Sequence, residues 1–166
     1  MQVSLEKEQI IDASTRIIPR LPLGGNCDGD YGIGLWHNDD CLGYAGVAKG
    51  LDGYYDNEYF SDLCDMLRDE WVIVQIKRGN KDWKNSDFRN ILAKFIVGAA
   101  QSEGIPRLYF MSADKNYWMI PKVQGDLADL YHPLPVESVM RRNYDMTAKK
   151  NKFVFDPKTG IFVREL

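Results

Sequence analysis

Trp71-Val72-Ile73-Val74-Gln75-Ile76-Lys77 is the stretch on which the fold turns. It is short, β-branched and aromatic, and Arg78-Gly79-Asn80 closes it, so it reads as a strand. A strict period of two puts Val72, Val74 and Ile76 on one face, and Trp71, Ile73, Gln75 and Lys77 on the other. A Gln and a Lys side by side at the end of an apolar face must lie at a cleft or an edge, because a buried unpaired Lys is costly.

After this strand, Ser86 to Glu103 carries Phe88, Ile91, Leu92, Phe95, Ile96, Ala99 and Ala100 at the offsets of one buried helical face. Ser86 is placed to cap that helix, Asp87 complements its dipole and Gly104 ends it. Arg107 to Ser112 reads as a second core strand, and Asp114-Lys115-Asn116 as a turn. Tyr117 to Lys122 then returns as a third strand. A helix between two strands suits a crossover packed on a sheet, so the expected class is α/β, a mixed central sheet flanked by helices. The tail predicts a short helix at Val136 to Arg142, then a hairpin turning at Asp156-Pro157-Lys158-Thr159-Gly160.

Upstream, residues 4–18 are expected as a helix that Pro19 and Pro22 end. Residues 23–57 are the least regular part, rich in Gly, Asp, Asn and Tyr, with short apolar pieces such as Ile33 to Trp36. Residues 57–69 fit two patterns. As a helix, Phe60, Leu63, Cys64 and Leu67 make an apolar stripe; as a strand, Asp62 begins a hairpin turning at Arg68-Asp69-Glu70 into Trp71. The hairpin is preferred, because a helix to Asp69 leaves one residue for the connection.

At 166 residues, with no internal repeat and no low-complexity linker, the chain is expected to be a single domain, 1–166. No stretch approaches the ~20 apolar residues that span a bilayer, and Met1 to Ile11 lacks the pattern of a secretory signal, so a cytoplasmic location is expected. Three cysteines, Cys27, Cys41 and Cys64, argue against a disulfide framework. With His37 they lack the close pairing of structural zinc sites, and small buried side chains are the better reading. Asn26, Asp28 and Asp30 alternate as in a calcium loop, but Gly32 is displaced and His37 stands where Glu is needed. The net charge of −3 hides an asymmetry. Residues 1–76 hold five Lys/Arg against fourteen Asp/Glu (−9), and residues 77–166 sixteen against ten (+6). Carboxylates for a metal followed by cations for a phosphodiester backbone would look like this, as would two solvated faces.

In the hairpin reading, Ser61-Asp62-Leu63 followed by Gln75-Ile76-Lys77 resembles the PD-(D/E)XK nucleases, whose signature is an Asp, a strand turn, then Glu/Asp-x-Lys. Gln75 replaces the second acid, as in a branch that includes some intron homing endonucleases. The resemblance covers about residues 58–122 and implies a restriction-endonuclease-like core with N-terminal and C-terminal elaborations. It implies a metal-dependent endonuclease acting on DNA, with Asp62, Gln75 and Lys77 as catalytic residues and a dimer as a common assembly. The physical logic is that a hard cation polarises the phosphate and generates hydroxide near neutral pH. Oxygen ligands suit Mg²⁺ or Mn²⁺: Asp62, the Gln75 amide and the Ile76 carbonyl. Lys77 then orients water or opposes developing charge. Glu8 (or Glu6) is the candidate additional acid, and Asp65 the fallback for Asp62.

Two basic groups can track phosphates: Arg78, Lys81 and Lys84, with Trp83 among them, and Arg141, Arg142, Lys149, Lys150 and Lys152. For each, a solvated surface is the bland alternative, as an edge strand with a gatekeeper lysine is for Gln75 and Lys77. His37 and His132 are isolated, and no local signature supports a Cys–His hydrolase. The rival function is a non-catalytic binding protein, an immunity protein or inhibitor, that docks a basic partner on its acidic N-terminal half.

Overall fold

Residues 71–78 form a strand bordered on both sides by other strands. The structure, a computed structural model, describes residues 2–25, 29–51, 57–79, 87–116 and 137–166. In chain order they form β1 (Gln9–Ile10), β2 (Thr15–Ile18), β3 (Tyr31–His37), β4 (Asp40–Lys49), α1 (Asn57–Met66), β5 (Trp71–Arg78), α2 (Phe88–Ser102) and β6 (Arg107–Phe110). They continue with α3 (Glu137–Arg141), a π-helical turn (Arg142–Met146), α4 (Thr147–Lys150), β7 (Val154–Asp156) and β8 (Ile161–Glu165). The strands make one sheet in the order β1-β2-β3-β4-β5-β6-β8-β7. Among the described residues only β5 and β6, the pair joined through α2, run parallel. The expected mixed α/β architecture is therefore present.

β5 is apolar on both faces because both are covered: Trp71, Val72, Ile73, Val74 and Ile76 are all buried. On one face lies α2. Gly43 of β4 faces it so closely that a Cβ there would overlap the Phe88 ring. Phe110 of β6 meets Tyr144 and Phe153 edge-on on that same face, at 6.4 and 5.4 Å between ring centroids. On the other face lies α1, whose Met66 shares a groove with Tyr109 and Val163. α2 ends as expected of Gly104, which takes φ +73°. Gly104 N–H donates to the Gln101 carbonyl and Ile105 N–H to the Ala100 carbonyl. At its other end Asp87 is the cap residue, without a side-chain capping bond.

Three sequence expectations are corrected. Residues 4–18 are not a helix. The Asp12 carboxylate accepts the Ser14 and Thr15 N–H groups, both at 2.8 Å, and this local turn lets β2 fold back on β1. Those bonds, the Ser14 one foremost, hold the Asp12 carboxyl below the usual carboxylate range. The β-branched Ile17 and Ile18 then bury on opposite faces, as strand residues do.

Residues 31–49, within the stretch that reads as irregular, are the long hairpin β3–β4. Asn38 takes φ +51° at its turn. Residues 57–66 are a helix rather than one arm of a hairpin: Phe60, Leu63, Cys64 and Leu67 are buried as a stripe. The helix stops at Met66, and Leu67–Glu70 supply the connection, where Gly50 N–H donates to the Glu70 carbonyl. The tail helix and hairpin are present as α3 and β7–β8. The strand expected at Tyr117–Lys122 lies outside the described residues. Among the described residues, no helix is long and apolar enough to cross a membrane.

Candidate functional site

β5 does not keep one phase along its length. Val47 of β4 is opposite Ile73, but the next residue, Gly46, is opposite Gln75, so Val74 is an extra residue on β5. Opposed residues share a face, and the bulge exchanges the faces beyond it. Gln75 and Lys77 therefore lie with Val72, on the α1 side, while Ile76 and Arg78 lie with Ile73, on the α2 side. This corrects the strict alternation, which grouped Gln75 and Lys77 with Trp71 and Ile73.

Gln75 is 3% exposed and faces Gly46, which has no side chain; Lys77 is half-buried opposite Tyr44. Tyr44 belongs to a small cluster on that face with Ile18, Trp36 and Cys41. Trp36 Nε1 donates to the Arg20 carbonyl at 3.1 Å, and the Arg20 guanidinium lies over its ring. The ladder between β5 and β6 runs from Trp71 to Ile73, extended by Met111 N–H donating to the Ile73 carbonyl. Among the described residues, Val74 to Arg78 run on past it. Gln75 and Lys77 are thus on a central strand, not on an edge strand.

The other side of that strand end is cationic. Arg78 and Arg142 of the π-helical turn are both near enough to act on Arg89 of α2. Burial foremost, and then Arg78 and Arg142, lower the Arg89 pKa, against a smaller opposing effect of Asp87. Arg89 is held in place: its Nε donates to the Asn143 side-chain oxygen Oδ1, and its guanidinium lies 4.4 Å from the centre of the Phe88 ring. The π-helical turn supplies this contact, since it widens the backbone and turns Asn143 and Tyr144 inward, both buried. Beside Arg89 a hollow of about 100 Å³ is lined by Arg142, Lys150, Asp87, Asn90, Met146 and Thr147.

The remaining candidate residues are scattered. Asp62 is exposed on the side of α1 away from its buried stripe, so it does not flank Gln75 as a residue on a neighbouring strand would. Asp65 is exposed and paired with Arg68 at 3.0 Å; Glu8 is exposed and paired with Arg16 at 3.4 Å. Ile76 is fully buried. Arg141 is committed to structure: it pairs with Glu137, Asp114 and Asp145, and Asp145 accepts the Ala113 N–H. Lys149, Lys150 and Lys152 are exposed. Lys81, Trp83, Lys84, Cys27 and His132 lie outside the described residues. Cys41 and Cys64 are buried thiols, and His37 shares a hydrogen bond with Thr15 at 3.3 Å. Among the described residues no three His, Cys, Asp or Glu side chains gather as a metal site.

Arg89 and Asn143 are the residues that sequence reasoning missed. Arg89 is masked by the apolar helix stripe around it, and a lone Asn within a helix carries no signal. Comparison with protein-family models, with curated proteins and with solved structures finds no match to this chain.

Proposed function

We propose that the protein is a DNA-binding nuclease with a restriction-endonuclease-like core, in which the cationic corner grips the phosphodiester backbone and Lys77 faces the phosphate to be cleaved. The observation that carries this reading is the gathering of Arg78, Arg89, Arg142 and Lys150 at the end of the strand that bears Gln75 and Lys77. Cations so grouped suit a polyanion, and phosphate contacts hold a strand in register without selecting its sequence. The mixed sheet, with the long helix directly after the Gln-x-Lys strand, supports the same class.

The expected cofactor is Mg²⁺ or Mn²⁺, which would polarise the phosphate and supply hydroxide. The described residues do not complete a site for it. The Gln75 amide oxygen and the Ile76 carbonyl are neutral donors, and the candidate carboxylate, Asp62, stands on the outer side of α1. A hard cation needs carboxylate charge for firm binding, which these residues do not supply. The part that falls to the chain itself is electrostatic: the Lys77 ammonium, half-buried, opposes charge that develops on a phosphate oxygen.

Nicking of supercoiled plasmid with Mg²⁺ or Mn²⁺, measured beside DNA binding, tests both halves of the proposal. Lys77→Ala is expected to abolish nicking and leave binding within about threefold, as for the removal of one phosphate partner at most. No nicking by the wild type with either metal, or nicking that survives Lys77→Ala, sinks the catalytic half.

One observation favours the rival reading. Asp62, Asp65 and Asp69 are all exposed on α1 and the turn after it, an acidic surface suited to a basic protein partner. Absence of DNA binding, together with a protein complex that Asp62→Lys disrupts, would establish that reading instead.

A further inference from the structure

Charge of one sign, gathered where side chains cannot spread apart, marks a place built for its opposite. Arg89 is half-buried, fixed by Asn143 and by the Phe88 ring, and so cannot retreat into solvent. Arg142 and Lys150 border the same hollow. Among the described residues no carboxylate pairs with Arg89, Arg142 or Lys150. Among the described residues Asp87 is the one acid at the rim, and its carboxylate accepts the Asn90 side-chain amide at 2.6 Å. Among those residues, three cations stand against one anion around the hollow.

The floor is rigid as well. Asn151 donates to the Asn90 side chain at 2.9 Å and to the Thr147 carbonyl at 2.8 Å, which ties the first turn of α2 to α4. Like charges held this closely repel, and a bound anion relieves the repulsion. A hollow of about 100 Å³ has room for a single phosphate group, and the guanidinium fork matches tetrahedral phosphate oxygens.

We propose that Arg89, Arg142 and Lys150, with Arg78 beside them, form a pocket for a single phosphate group of a nucleic-acid strand. Asn143 is its positioning residue, holding the Arg89 guanidinium. The inference rests on the nucleic-acid reading above and adds to it a defined point of attachment, separated by the thickness of the sheet from Gln75 and Lys77. An internal phosphodiester and a terminal phosphate present the same oxygens, and either can fill the pocket.

The test uses the full chain labelled with ¹⁵N. Titration with sodium phosphate, against sodium chloride at matched ionic strength, is expected to shift the Arg89 Nε–H resonance saturably with phosphate only. Arg142→Ser with Lys150→Ser, both surface changes, should weaken that response by about tenfold, the effect of removing charge-assisted bonds. The same double variant should lower the salt slope of single-stranded oligonucleotide binding by about 0.7 for each phosphate it no longer neutralises. Oligonucleotide should displace phosphate from the wild type. Tighter binding of a 5′-phosphorylated strand than of its 5′-hydroxyl twin identifies the terminal group, and equal binding identifies the diester.

A shift that chloride reproduces, or that the double variant retains, overturns the pocket. Phosphate binding that no oligonucleotide displaces overturns its assignment to nucleic acid. Oligonucleotide binding untouched by the double variant overturns the pocket while leaving the nucleic-acid reading standing. Phosphate binding in a protein that never nicks plasmid leaves the pocket standing and removes the catalytic proposal.

Discussion

Gly43→Ala is the substitution that most directly probes how the sheet positions the cationic corner. Gly43 lies on β4 under the first residue of α2, and a Cβ built there meets three atoms of the Phe88 ring, the farthest at 2.7 Å. The ring is 2% exposed, and the atoms met include its Cγ, next to the backbone, so the helix itself must give. Forcing a methyl group into a packed core costs about 1–3 kcal/mol. Alanine returns about 0.5–1 kcal/mol, because glycine loses more backbone freedom on folding. The overlap is with the inner atoms of a buried ring, which puts the cost at about 2–3 kcal/mol and the net destabilisation at about 1–2.5 kcal/mol, or about 2–10 °C in Tm for a chain of this length.

Urea denaturation followed by circular dichroism measures this, with Phe88→Ala and the double variant completing a cycle. Alanine at position 88 removes all three ring atoms that the added Cβ meets, so the double variant should be more stable than the sum of the singles by at least about 0.5 kcal/mol. Arg89 follows Phe88 in the chain, so Gly43→Ala should also weaken phosphate binding. Wild-type stability in Gly43→Ala, or strict additivity in the cycle, would refute the packing argument.

Further expectations concern the other covered elements. Asp145→Ala leaves the buried Ala113 N–H without its 2.8 Å acceptor, at a cost of about 2 kcal/mol. Calorimetry should show a lower Tm and hydrogen exchange a faster Ala113 amide; unchanged values for both would refute that role. Burial raises the Tyr109 pKa above the ordinary phenol value, so the folded state keeps this proton at a pH where the unfolded chain gives it up. Its contribution is therefore complete below about pH 10 and lost as pH rises through the folded value. Tyr109→Phe should lack this part of the alkaline loss, seen as a flatter urea midpoint between about pH 9 and 11; parallel curves would disprove it.

The elements that were legible in the sequence have their periodicity set by burial alone. The stripe from Phe88 to Ala100, the Gly104 stop, the Arg107–Phe110 strand and the β7–β8 hairpin all follow from spacing and turn chemistry. Where a side chain competes with the backbone pattern, spacing misleads: Asp12 makes a turn inside what looks like a helix. The glycines of β3 and β4 look like a loop because glycine content signals flexibility. Gly43 is glycine for the opposite reason, since it lies against a helix too close to admit a methyl group. The bulge at Val74 is invisible in a string of apolar residues, yet it decides which face carries Gln75 and Lys77. The cationic corner was legible only in part. Arg78, Arg142 and Lys150 stand out as charges, whereas Arg89 joins them through a crossover and a π-helical turn that no local pattern announces.

Among the described residues the sheet is long in the middle and blunt at both rims. β4 has ten residues and β5 eight, but β1 has two and β7 three. A strand of ordinary length is about five or six residues, so a neighbouring chain approaching either rim finds too little backbone to zip onto. Val154 and Phe155 are exposed at the β7 rim, yet they sit on a ribbon too short to template polymerisation. If two copies associate, these short rims favour a seam between side chains on their outer surfaces over one that splices their sheets into one.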